Sequence, residues 1–120
     1  MPKKVLIVDD SASVRQQVAL ALKQAGFDVM EAVDGLDGVN KIGATPDLAA
    51  VICDVNMPRM NGLELVEKVQ GTGKPLPIVM LTTEGQPELM QRARKAGAKG
   101  WIIKPFKADL LVATIKKLAV

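Results

Sequence analysis

Five short apolar runs alternate along the chain with stretches of helical spacing. The runs are KVLIVDD (4–10), DVMEA (28–32), LAAVICD (48–54), PIVMLTT (77–83) and GWIIKP (100–105). They are rich in β-branched residues, and at least four lack a polar alternate face, so these strands are expected to be covered on both sides. Between them, Val14, Val18, Ala21, Leu22 and Ala25 fall on one helical face, and Gly26 supplies a stop. Leu65, Val66 and Val69 mark a helix before GTGKP, and Leu89, Ala93 and Ala96 mark another that Gly97 ends. Leu111, Ile115 and Leu118 define the last, with Asp109 early and Lys116 and Lys117 late, the charge order a helix dipole favours. The stretch 35–43 is weaker because Gly35, Gly38 and Gly43 dilute it. Gly35, in VDG, reads as turn punctuation. Such alternation predicts parallel strands joined by right-handed crossovers, an α/β fold.

The polar residues of the runs gather at their ends. The first run ends at Asp9 and Asp10, the third at Asp54, the fourth at Thr82 and Thr83, and the fifth at Lys104. Ligands of open α/β sheets bind beyond the carboxyl ends of the strands, so these residues are expected at one edge. Converging carboxylates repel one another, and a hard divalent ion such as Mg²⁺, with Mn²⁺ as a substitute, relieves that repulsion. Lys104 adds a mobile positive charge and Thr82 a hydroxyl donor. Metal, ammonium and hydroxyl are what a phosphoryl group in transfer requires, and a remaining carboxylate can act as nucleophile. Asp54, which interrupts the smooth apolar run VICDVNMP, is the best placed of the acids.

Composition narrows the chemistry. The 120 residues suit one domain with one core, and there is no histidine and no tyrosine. Histidine catalysis, histidine metal ligands and self-phosphorylation on histidine are therefore excluded within this chain. The single cysteine, Cys53, rules out an internal disulfide and reads as inert packing. MPKK is followed by only four apolar residues, and no apolar run nears the ~20 residues of a membrane helix, so a cytoplasmic protein is expected. The net charge of +3 is too modest to argue for nucleic-acid binding.

VLIVDD, DVNMPRMNG, MLTTEG and IIKPF, in this order and spacing, closely resemble the motifs of response-regulator receiver domains of two-component signalling, over residues 4–118. The resemblance implies a doubly wound (βα)5 fold of the flavodoxin-like kind, with a five-stranded parallel sheet of order 2-1-3-4-5. It implies that Asp54 accepts phosphate from a histidine kinase or phosphotransfer protein. It also implies that Asp9, Asp10, Asp54 and the backbone carbonyl of Asn56 hold Mg²⁺. Lys104 then pairs with the phosphoryl group, Thr82 swings in to bond it, and the Lys104–Pro105 peptide is cis. Asn56 and Glu84 flank the phosphoryl group and modulate its lifetime; as an amide, Asn56 cannot serve as a base, which argues against very fast self-dephosphorylation. Met57, Pro58, Met60 and Gly62 shape and pack the loop beside the site. The output surface implied is the helix 4, strand 5 and helix 5 face, with Thr82, Trp101, Met90, Arg94 and Ile103 on or near it. Trp101 departs from the usual tyrosine or phenylalanine, and its bulk sets packing at the sheet edge against a moving switch. The charged stretch RARKAGAK (92–99) reads either as a solvated helix face or as part of a docking surface for an acidic protein effector.

Residues 1–120 are thus expected to be one stand-alone, chemotaxis-regulator-like receiver that catalyses only its own phosphorylation and dephosphorylation. A receiver at the head of a longer regulator would read the same. Two other readings use the same residues. A haloacid-dehalogenase-like phosphohydrolase shares the Asp, Thr, Lys and acid set, but its second acid would be Asn56, which has no proton to donate as an acid. A phosphorylation-independent docking module would not need the complete acidic set.

Overall fold

The computed structural model describes residues 3–55, 62–70, 76–82 and 87–119. Of the residues named above, Asn56, Met57, Pro58, Met60, Thr83 and Glu84 lie outside the described residues, as does the side chain of Leu89. Strands and helices alternate throughout: β1 (Lys4–Val8), α1 (Ala12–Gln24), β2 (Asp28–Ala32), α2 (Gly35–Ala44), β3 (Leu48–Asp54), α3 (Gly62–Gln70), β4 (Ile78–Thr82), α4 (Pro87–Ala96), β5 (Gly100–Ile103) and α5 (Ala108–Leu118). All pairings are parallel and the sheet order is β2-β1-β3-β4-β5, as the family motifs implied. Among the described residues no helix is long and apolar enough to cross a membrane.

Two-residue alternation divides the core between the faces of the sheet. Leu6, Val8, Val51, Cys53, Ile78 and Met80 join the cluster that packs with α2, α3 and α4. Val5, Ile7, Ala50, Ile52, Val79 and Leu81 join the cluster beneath α1 and α5. This double burial explains why β1, β3 and β4 lack a polar face, and each fully buried Ile or Leu contributes about 1.5–3 kcal/mol relative to exposure. β2, at the sheet edge, instead exposes Asp28 and Glu31.

β2 and β3 end where their runs end, but β1 and β5 stop earlier than the apolar runs suggest. β1 ends at Val8, because the Asp9 carbonyl turns to accept from the Arg15 guanidinium at 2.6 Å instead of continuing the ladder. β5 ends at Ile103; Lys104 still donates its N–H to the Thr82 carbonyl at 2.6 Å, but Pro105 has no N–H to offer. Asp9, Asp10 and Lys104 thus occupy the loops just past the strands. The Lys104–Pro105 peptide is cis.

Gly35 is a correction. It is the first residue of α2 and not a turn residue, and the cap is Asp34, whose carboxylate accepts from the Asp37 N–H at 2.8 Å. Gly38 weakens the helical pattern for a packing reason: a Cβ there would stand 2.9 Å from Leu65 Cδ1 and 3.0 Å from Val8 Cγ2. Gly26 and Gly97 end α1 and α4 with φ of +93° and +110°, the left-handed conformation glycine adopts without strain.

Candidate functional site

Strand parity and register bring the polar residues together. Asp9, Asp54 and Lys104 continue the side-chain alternation of Ile7, Ile52 and Ile102, all buried on the α1/α5 face. Register pairs Val8 with Cys53, so Asp9 and Asp54 emerge side by side at the carboxyl edge. Asp9 is 1% exposed and Asp54 5%, whereas Asp10 is exposed. One carboxylate oxygen from each of the three acids lies within 4.8 Å of the others. Lys104, distant in sequence, brings its ammonium 3.1 Å from Asp9 Oδ2 and 3.6 Å from Asp54 Oδ2.

One ammonium offsets only part of the formal charge of three converging carboxylates. All-oxygen donors, convergence and residual negative charge fit a hard divalent cation such as Mg²⁺. Cys53, next to Asp54, is fully buried and points to the opposite core. Burial, reinforced by the negative charges of Asp54 and Asp9, raises its thiol pKa well above the ordinary range. Inert packing, as expected from the sequence, is what its environment permits.

Asp9 is held at every polar atom. Its N–H donates to the Ala32 carbonyl at 3.2 Å, and its own carbonyl accepts from Arg15. Its Oδ1 accepts from the Ser11 N–H at 2.9 Å, and its Oδ2 takes Lys104. Ser11 also caps α1, its hydroxyl oxygen accepting from the Val14 N–H at 3.4 Å. Sequence reading missed Arg15 and Ser11; a Ser one residue past an acid pair is a helix-start signal that could have flagged the latter. Gly62, expected only to shape a turn, also permits a close approach, since a Cβ there would collide with the Asp54 carbonyl oxygen and come 2.7 Å from Met80 Cε.

Thr82 is 2% exposed at the end of β4. Register pairs Thr82 with Ile103 and Met80 with Trp101, so these four share the face toward α4. Trp101 is half-buried against the α2/α3/α4 cluster, and its indole N–H is enclosed with no hydrogen-bond partner among the described residues. Ile103 is 51% exposed, Arg94 is exposed and Met90 half-buried. A cavity of about 90 Å³ between α4 and β5 is lined by Met90, Arg94, Lys99 and Trp101 among others. The charged stretch 92–99 is largely solvated, with Arg92 bridging to Glu67 of α3 at 2.8 Å. The backbone carbonyl of Asn56 and the side chain of Glu84 fall outside the described residues, so their placement is not part of this geometry.

The family model of the response regulator receiver domain matches residues 5–116. Chemotaxis protein CheY1 of Helicobacter pylori is 42% identical over 111 residues, spanning 90% of each chain. A chemotaxis protein CheY homolog of Campylobacter jejuni is 41% identical over 111 residues, 90% of this chain and 85% of that one. The crystal structure of chemotaxis protein CheY4 of Vibrio cholerae superposes with a TM-score of 0.92 at 41% identity, covering 98% of this chain and 99% of its own. These relatives do not favour the phosphohydrolase reading or the docking-only reading. The chain belongs to the response regulator receiver domain family and is a phosphorylation-activated signalling switch, not a turnover enzyme.

Proposed function

We propose that Asp54 is the phosphoryl acceptor of this switch. One observation carries the reading: Asp54 ends the central strand β3, its carboxylate clustered with those of Asp9 and Asp10 and 3.6 Å from the Lys104 ammonium. Receiver domains take phosphate from histidine kinases and act on effectors, and this chain has no histidine of its own to serve as donor. An Asp54 carboxylate oxygen attacks the phosphorus of a donor phosphohistidine. The new P–O bond forms as the P–N bond breaks, and the imidazole nitrogen leaves with the electron pair. Self-catalysed phosphorylation from a small phosphodonor, and later hydrolysis, use the same residues.

Lys104 now sits closer to Asp9 than to Asp54 and swings to neutralise the incoming phosphoryl oxygens. Asp9, Asp10 and Asp54, joined by the Asn56 carbonyl, would hold Mg²⁺ or Mn²⁺. When bound, the ion supplies positive charge that offsets these acids and the phosphoryl oxygens. The Thr82 hydroxyl donates to a phosphoryl oxygen, while Asn56 and Glu84 set how long the phosphate lasts. Because Thr82 is registered on Ile103 and one step from the Met80–Trp101 pair, its movement reaches the α4–β5–α5 face. Trp101, Met90, Arg94 and Ile103 there meet a protein effector, not nucleic acid. The chain acts as one cytoplasmic, chemotaxis-type receiver unit over residues 1–120.

The test supplies Mg²⁺ with acetyl phosphate or beryllofluoride to the wild type and to Asp54→Asn, reading intact mass and Trp101 fluorescence. A single phospho-adduct is expected on the wild type and none on Asp54→Asn, with a fluorescence change in the wild type alone. No adduct on the wild type, or one that persists in Asp54→Asn, contradicts the assignment. An adduct without a fluorescence change removes Trp101 from the switch.

A further inference from the structure

Arg15 lies in the first turn of α1, outside the residues assigned to the phosphorylation chemistry, yet its side chain is only 14% exposed. Its guanidinium spans two acceptors. Nη1 donates to the Asp9 carbonyl at 2.6 Å, and Nε donates to Glu31 Oε1 of β2 at 3.1 Å. The Asp9 carbonyl belongs to the peptide that joins Asp9 to Asp10. Fixing that carbonyl fixes the plane of the peptide, and so the direction in which Asp10 leaves it.

Asp9 needs little help of this kind, because Ser11 and Lys104 already hold its carboxylate. Asp10 differs: no side-chain hydrogen bond or ion pair holds its exposed carboxylate among the described residues. Its aim toward Asp54 therefore depends on the backbone it hangs from. Arg15 is also a cation close to an acidic site, and that charge alone would oppose a metal ion. The two effects have opposite signs, which makes them separable.

We infer that Arg15 is a positioning residue for divalent-metal binding: clamped to Glu31, it holds the Asp9–Asp10 peptide so that both carboxylates face Asp54. The inference rests on the proposed metal role of the three acids. A lysine keeps the charge but cannot reproduce the planar fork that reaches both acceptors. Loss of an outer partner that orients metal ligands typically weakens metal affinity by about 10–100-fold.

Calorimetric titration of Mg²⁺ into the unphosphorylated wild type, Arg15→Ala, Arg15→Lys and Glu31→Gln tests this, with circular dichroism confirming the fold. Both Arg15 variants are expected to bind at least about tenfold more weakly than wild type, and Glu31→Gln to weaken binding by a smaller factor. Arg15→Ala binding as tightly as wild type or more tightly overturns the inference, because charge then outweighs positioning. Full affinity in Arg15→Lys overturns it too. Should Arg15→Ala fail to fold, unchanged affinity in Glu31→Gln and Arg15→Lys decides against it. Absence of saturable Mg²⁺ binding by the wild type overturns the metal reading itself, and the inference with it.

Discussion

Cys53 and Asp54 are neighbours on one strand with opposite surroundings. Cys53 points into the α2/α3/α4 cluster, and Asp54 points to the other side, among Asp9, Asp10 and Lys104. The sequence VICD already suggested a buried thiol beside an acid that had to be there for a reason, and side-chain alternation is enough to separate them. Burial first, then the charges of Asp54 and Asp9, keep the folded thiol protonated far above its ordinary value of 9.0. The sign of the consequence follows from linkage. In the unfolded chain the thiol ionises near pH 9.0, while in the folded chain it does not. The stabilisation from this group is therefore complete below that pH and is lost as pH rises above it, by up to about 1.4 kcal/mol per pH unit. Urea unfolding followed from neutral pH to roughly one unit above the ordinary thiol value should show a steeper loss of stability in wild type than in Cys53→Ala. Equal slopes would contradict this account of the Cys53 environment.

The helices were legible from periodicity wherever their buried face is made of large apolar residues, as in α1, α3 and α5. α2 (35–44) was legible only faintly, because glycines dilute its pattern, and one of them, Gly38, lets it lie against Val8 and Leu65. Close approach of two elements leaves no mark in hydrophobic spacing, so Gly38 and Gly62 look alike in sequence to Gly43, which has open space around its missing Cβ. Substitution separates them. Gly62→Ala drives a methyl group into the Asp54 carbonyl, which is fixed backbone, and the start of α3 has to shift. A cost of about 1–3 kcal/mol and slower phosphorylation by acetyl phosphate are expected. Gly43→Ala, near the end of α2, should be neutral or stabilising by up to about 1 kcal/mol. Urea midpoints of the two variants check the pair, and a Gly62→Ala protein as stable and as readily phosphorylated as Gly43→Ala contradicts the reading.

Across the whole molecule, the strand order follows from the recognised motifs, and the gathering of acids, threonine and lysine at one edge follows from reading the strand ends. What the sequence could not display is the reach of long side chains. The Arg15 bridge from α1 to the Asp9 carbonyl and to Glu31 depends on how α1 packs beside β2. The half-burial of the Trp101 indole depends on the space between α4 and β5. The path from the proposed acceptor site to the proposed output face is short because β4 and β5 share it: Lys104 is bonded through its N–H to the Thr82 carbonyl, and the Thr82–Ile103 and Met80–Trp101 pairs lie on the same face. All of this depends on where the phosphate is carried. The most direct measurement is to phosphorylate the wild type with acetyl phosphate and Mg²⁺, reduce the acyl phosphate with borohydride, and map the product by peptide mass spectrometry. The account predicts conversion of Asp54, and of no other acid, to homoserine; conversion at Asp9 or Asp10, or at no residue, would contradict it.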